Sequence, residues 1–183
     1  MKLRFGLMIS IIGTMLWTGA MYALNQYTSA LPRGQEAVAG AQTSIPTYEY
    51  VTKNESAVTT EVNHYRTVEQ KADVVQDSRL DAIAQIRLLD MQQNHYYAHR
   101  TTSGGIFSDN FLSFGIAKDT YSCENLLLTN AHEAQSYIAE WDASPAHASC
   151  MSKEAMTRIG VAEGTFDELT GQRLIVTIYA QGI

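Results

Sequence analysis

The hydrophobic pattern of this chain changes period once, and that change restricts the fold more than any single residue does. Over 56–70, Val58, Val62, Tyr65 and Val68 recur at helical spacing and predict a first helix. A second opens at Asp77-Ser78, where Ser78 and Asp81 make a capping-box pattern, and continues through Leu80, Ile83, Ala84, Leu88 and Met91. Ile86 and Leu89 widen its apolar face, so it should pack centrally. A third covers about 130–141, with Ala131, Ala134, Ile138 and Trp141 on one side, and Ser144-Pro145 opens a fourth. From Arg158 onward the pattern is different. Segments 158–163 and 173–181 are rich in Ile, Val and Tyr, and a polar stretch with Gly164 and Gly171 separates them, which reads as an antiparallel hairpin with a long loop. Shorter strands fit 97–100 and 122–127. Helices first and a hairpin last favour an α+β layered domain over a doubly wound parallel sheet.

The N-terminus reads as an export segment. Lys2 and Arg4 are the sole charges among the first thirty residues, and 5–24 is uncharged and mostly apolar. A stretch of about 20 such residues is also long enough to span a bilayer, so length alone does not separate a cleaved signal from a retained anchor. Thr28-Ser29-Ala30 offers small residues for cleavage. A buried helix of the folded domain fits poorly, because the segment is apolar all round with basic residues only before it. Residues 1–30 are thus expected to be a signal peptide or membrane anchor, touching membrane through 5–24 if uncleaved. Residues 31–54, with Pro32, Gly34, Gly40 and Pro46 and no apolar period, read as a linker, and 55–183 as the folded domain. The domain is then secreted or tethered at the surface, outside the cytoplasm. Without Lys2 and Arg4, 11 basic residues face 19 acidic ones, a balance of −8. With no basic stripe either, the composition argues against nucleic acid as a partner.

Three patches could carry chemistry: His95-Tyr96-Tyr97-Ala98-His99-Arg100, Cys123-Glu124-Asn125-Leu126, and Trp141 followed by Ser144-Pro145-Ala146-His147 and Cys150. Singly each has a structural explanation, since Glu124 could bond backbone amides and His147 could close a helical turn. Cys123 and Cys150 are the two cysteines of the chain, and an oxidising compartment allows them to pair, whereas in a cytosolic protein they would be free thiols. If they are bridged, their Cα atoms lie about 4.4–6.8 Å apart. Glu124 then adjoins one anchor and His147 lies about one helical turn before the other. A carboxylate and an imidazole held so close can share a metal, a proton or a water. His64, His95 and His132 have no such constrained partner, and Glu133 and Glu140 read as solvated. No HExxH, GxSxG, Walker-type or GxGxxG pattern is present.

Over about 58–180 the sequence resembles bacterial members of the CAP superfamily, the group of cysteine-rich secretory proteins, venom allergens and pathogenesis-related proteins. Asn63-His64-Tyr65-Arg66 is similar to the family's Asn-x-x-Arg, and residues 80–91 to its second helix. Tyr96-Tyr97-Ala98-His99 resembles the aromatic run ending in a cleft histidine, and Glu124-Asn125-Leu126 the Gly-Glu-Asn-Leu element. Trp141-Asp142-Ala143-Ser144-Pro145-Ala146-His147 resembles Trp-x-x-Ser-Pro-Gly-His, and Ile159-Gly160-Val161-Ala162 the Ile-Gly-Val-Gly strand. The resemblance implies a three-layer α-β-α sandwich around a mainly antiparallel sheet. It also implies a surface cleft where two His and two Glu meet and, in some members, hold a divalent cation.

Carried over by residue, His99, Glu124 and His147 fill three of the four cleft roles and are the candidate ligands for Zn2+ or another divalent cation, the one cofactor the resemblance admits. The fourth role falls near Asp142, which is out of register. Cys123 stands where the family has glycine and Cys150 interrupts its pattern after the histidine, which together suggest a local disulfide across the cleft. Asn63 and Arg66 should tie the first helix to neighbouring backbone, Trp141 should be core with its indole N–H bonded nearby, and Gly104 and Gly105 should make a turn. Three functions follow as expectations. The first is a binding module whose cleft takes a small apolar or peptide-like ligand or a cell-envelope component, with or without a divalent metal. The second is a metal-assisted hydrolase of peptide or cell-wall material with Glu124 as ligand or general base. The third is a structural surface domain whose cleft residues only brace loops.

Overall fold

The computed structural model describes residues 53–183, so the expected export segment and all but the last two residues of the expected linker lie outside the described residues. Helix α1 (Lys53–Val68) begins three residues before the apolar stripe suggests. Val58 and Val62 are fully buried, but Val68 is 66 % exposed and the stripe ends instead on the buried Arg66. The Arg66 guanidinium donates to the carbonyls of Ala72 at 2.7 Å, Met151 at 2.6 Å and Met156 at 3.2 Å. Asn63 exchanges two hydrogen bonds with the Val74 backbone, at 3.0 and 2.9 Å. Both residues therefore tie α1 to backbone, as their chemistry suggests.

A two-residue strand, β1 (Val75–Gln76), leads into α2 (Ser78–Gln93). The expected capping box is not formed. Asp77 is the N-cap, accepting from the Arg79 N–H at 3.0 Å, one residue before the position the sequence suggests. Asp81 is turned inward and accepts from the Val161 N–H at 2.8 Å and the Gln76 amide at 3.2 Å. The segment 97–100, expected as a strand, is a bend. His95 (φ 50°) and Gly104 (φ 89°) turn the chain there, and Thr101 closes the turn by accepting from the Gly105 N–H at 2.8 Å. A 3-10 helix (Phe107–Phe114) follows.

The remaining elements are β2 (Ser122–Thr129), α3 (Ala134–Asp142), α4 (Pro145–Ser152), β3 (Arg158–Asp167) and β4 (Gln172–Ala180). Helix α3 starts four residues later than expected, whereas α4 starts at Ser144-Pro145 as its sequence indicates. The hairpin is tighter than its glycines suggested. Gly164 lies within β3, and Gly171 (φ 72°) makes the turn. The sheet order is β1-β3-β4-β2, with β1–β3 parallel and the other two pairings antiparallel.

The sheet separates two cores. On one face Val58, Val62, Tyr137, Trp141 and Met151 from α1, α3 and α4 pack on Leu127, Ile159, Val161, Ile175 and Tyr179. On the other, Leu80, Ile83, Leu88 and Met91 of α2 and Phe111 pack on Leu126, Ala162, Val176 and Ile178. The period of two in β3 explains this division, since odd residues face one layer and even residues the other. Gly160 is required by the close approach of α2, because a Cβ there would lie 2.1 Å from the Leu80 carbonyl carbon. The described residues thus form the expected α-β-α sandwich with a mainly antiparallel sheet.

Candidate functional site

Strand β2 is an edge of the sheet, and its alternation distributes the site. Cys123 and Leu127 join the α1–α3–α4 layer, while Leu126 joins the α2 layer. Glu124 has the same parity as Leu126 and meets α2. Its side chain is 1 % exposed, and its two oxygens have different partners. Oε1 accepts from Arg87 Nε at 3.0 Å, and Oε2 is 2.9 Å from His99 Nδ1. A carboxylate accepts but does not donate, so the proton between them belongs to His99 Nδ1, and Nε2 is the ring nitrogen left for other partners. The His99 side chain is 58 % exposed. A buried acid thus orients an imidazole that faces solvent.

Arg87 is the residue the sequence reading missed. Its signal is its register: seven residues after Leu80, between Ala84 and Leu88, it occupies a core position of α2. Its side chain is 2 % exposed, and besides Glu124 it donates to the Tyr96 hydroxyl at 2.9 Å and the Ala98 carbonyl at 2.8 Å. Burial alone would lower its pKa, but the hydrogen bond and charge of Glu124, followed by Tyr96, raise it. Tyr96 in turn donates to Asp90. One guanidinium therefore joins α2, β2 and the segment that delivers His99. Tyr97, 44 % exposed, lies on the same edge with its hydroxyl bonded to the Leu128 backbone.

His147 approaches from the other layer. It sits in the first turn of α4, half-buried, and its carbonyl accepts from Asn125 Nδ2 at 3.1 Å. The Cys123–Cys150 disulfide, with Cα atoms 6.1 Å apart, makes a second tie between α4 and β2. Both ties flank Glu124 in sequence. The His147 pKa lies below the ordinary 6.5, first because the ring is buried and then because His99 is near enough for its charge to be felt. Glu124, His99 and His147 are thus gathered around the edge of β2, two of them through α2 and one through α4.

The donor set does not fit a divalent cation. Among the described residues no group of three or more His, Cys, Asp or Glu side chains is placed to hold a metal ion, so the expected His99–Glu124–His147 ligand set is not assembled. The reason lies in the carboxylate: both Glu124 oxygens accept from nitrogen donors, and one of these is a fixed cation. Asp142 does not supply a fourth ligand, because it hydrogen-bonds Tyr65 of α1. Trp141 is fully buried and its indole N–H donates to the Leu126 carbonyl at 3.1 Å, a structural role. His64, His95 and His132 are exposed, and the exposed Glu140 accepts from Thr129 at 2.7 Å.

Residues 59–179 match the family model described as "CAP: Cysteine-rich secretory protein family". No curated protein matches the sequence. Among solved structures, the fold is similar to that of an outer surface protein of Borrelia burgdorferi, with TM-score 0.59 and 13 % identity over 72 % of this chain and 95 % of that one. It is also similar to an extracellular protein containing an SCP domain from Bacillus anthracis, with TM-score 0.60 and 18 % identity over 70 % of this chain and 40 % of that one. A cysteine-rich secretory protein of Staphylococcus aureus gives TM-score 0.59 and 12 % identity, over 74 % and 40 % of the two chains. This chain spans about two-fifths of the length of the latter two. At these identities the likeness concerns the fold. Because the family match covers about two-thirds of the sequence, the chain belongs to the cysteine-rich secretory protein (CAP) family.

Proposed function

We propose that this is an exported binding module, secreted or held at the cell surface, whose cleft at the edge of β2 takes a small apolar or peptide-like ligand without a metal. The observation that carries the reading is the Glu124–His99 pair: a carboxylate 1 % exposed holds an imidazole 58 % exposed, at 2.9 Å. That arrangement presents an oriented ring nitrogen, His99 Nε2, for hydrogen bonding with whatever enters. The half-buried, predominantly neutral His147 supplies a second polar contact, and Tyr97 supplies an aromatic wall. Few convergent polar groups beside apolar surface is the usual make-up of a small-ligand site. A metal-assisted hydrolase is less well supported, because Glu124 is already engaged by Arg87.

The test is a titration of the protein with a panel of short peptides and medium-chain fatty acids, followed by histidine-resolved NMR. The expected result is saturable shifts at His99 and His147, no turnover of the peptides, and loss of binding in His147→Ala with the fold retained. Hydrolysis of peptide or cell-wall fragments that disappears in Glu124→Gln would replace binding with catalysis. Lower stability of His147→Ala, with no ligand shifting either ring in the wild type, would leave a structural domain.

A further inference from the structure

The family's cleft is associated with divalent cations, yet the residues of this chain do not fit one, and the cause is a single side chain. We infer that the Arg87 guanidinium stands in this cleft as a built-in substitute for a metal ion, satisfying Glu124 and barring it from ligation. The inference rests on the metal-free reading of the cleft and deepens it by naming what excludes the metal. Arg87 and Glu124 are 2 % and 1 % exposed and lie 3.0 Å apart, so no water screens one from the other. The guanidinium cannot swing aside without also losing the Ala98 carbonyl at 2.8 Å and the Tyr96 hydroxyl at 2.9 Å. A divalent ion on Glu124 would face a fixed positive charge in a poorly screened setting. It would also meet a carboxylate whose charge is already balanced. His99 Nδ1, at 2.9 Å, occupies the second Glu124 oxygen, so both oxygens already have nitrogen partners.

The sequence supports the same conclusion. A charged residue in the core register of α2 carries a desolvation penalty that an apolar side chain would not, so its presence calls for a function. Here that function is electrostatic: the pair Arg87–Glu124 keeps the orienting carboxylate inside the protein without a metal cofactor. If the guanidinium is removed, the carboxylate is left beside the His99 imidazole, an oxygen and nitrogen donor pair of the kind Zn2+ takes.

The experiment is equilibrium dialysis of the full chain against zinc chloride, with bound metal read by elemental analysis and native packing by near-UV circular dichroism. Arg87→Met should bind Zn2+ about tenfold or more tightly than the wild type, and Arg87→Met/Glu124→Gln should lose that gain. Arg87→Gln, which is neutral and still able to hydrogen-bond Glu124, is the second variant should Arg87→Met not fold. A wild-type measurement needs no variant: the His99 ring resonances should stay in place as Zn2+ is added. Wild-type Zn2+ binding that shifts His99 and is abolished by Glu124→Gln overturns the inference, as does a folded Arg87 variant with unchanged affinity. Shifts produced by the peptide and fatty-acid panel are read separately. Loss of those shifts sinks the binding reading, and an unchanged zinc affinity sinks this one.

Discussion

Arg66, Asp81 and Arg87 are charged side chains in helical registers that otherwise hold apolar ones, and each is buried. Periodicity locates such residues but does not say what they bond, because their partners come from distant strands and loops. Arg66 meets carbonyls some eighty-five residues away, Arg87 meets Glu124, and Asp81 meets the Val161 N–H. Asp81 gives a testable consequence. Its carboxyl is pushed up to about 6, from 3.8, chiefly by burial, with a smaller contribution from the charge of Asp77. The Val161 N–H and the Gln76 amide oppose the shift without cancelling it. A raised folded-state value means the stabilisation is complete below about 3.8 and is lost as pH rises through about 6. The full effect is roughly 2–3 kcal/mol. Urea unfolding of Asp81→Asn should therefore show a flatter dependence across that window than the wild type. A wild-type minus variant difference that is constant with pH would contradict this environment for Asp81.

At the scale of elements, the helices were legible wherever an apolar stripe ran unbroken, and their ends were not. Helix α2 was readable from Leu80, Ile83, Leu88 and Met91, yet its cap is Asp77 because the Asp81 side chain has an interior partner. The segment 97–100 was expected as a short strand, but Tyr96 and the Ala98 carbonyl are held by Arg87, which bends it away from any ladder. Gly164 resembled a turn residue and is a strand residue, where a Cβ would lie 3.1 Å from the Leu88 side chain. The cysteine pairing was inferable from the compartment and has a direct test. The bridge joins β2 to α4 over a sequence separation of 27. Its reduction should destabilise the domain by about 2–4 kcal/mol, seen as a lower melting temperature. Quantitative labelling of both cysteines in the oxidised protein would contradict the pairing.

For the molecule as a whole, the sequence indicated an α-β-α sandwich through the order of its motifs, but not the strand order. The parallel β1–β3 pairing rests on two residues, too few to leave a pattern. The candidate site at the edge of β2 was legible only in part. His99, Glu124 and His147 could be singled out, whereas their dependence on Arg87 required the spatial arrangement. The architecture explains how groups from two layers meet: β2 is an edge strand, met by α4 from one layer and by the Arg87 side chain of α2 from the other. The central claim is that the two imidazoles share one hollow, and a pH titration of the His147 ring by NMR tests it most directly. In the wild type His147 should titrate below 6.5, and in His99→Gln its pKa should move upward, since the charge of His99 is one of the two causes of the shift. A His147 titration identical in the two proteins would place the rings apart and contradict the account.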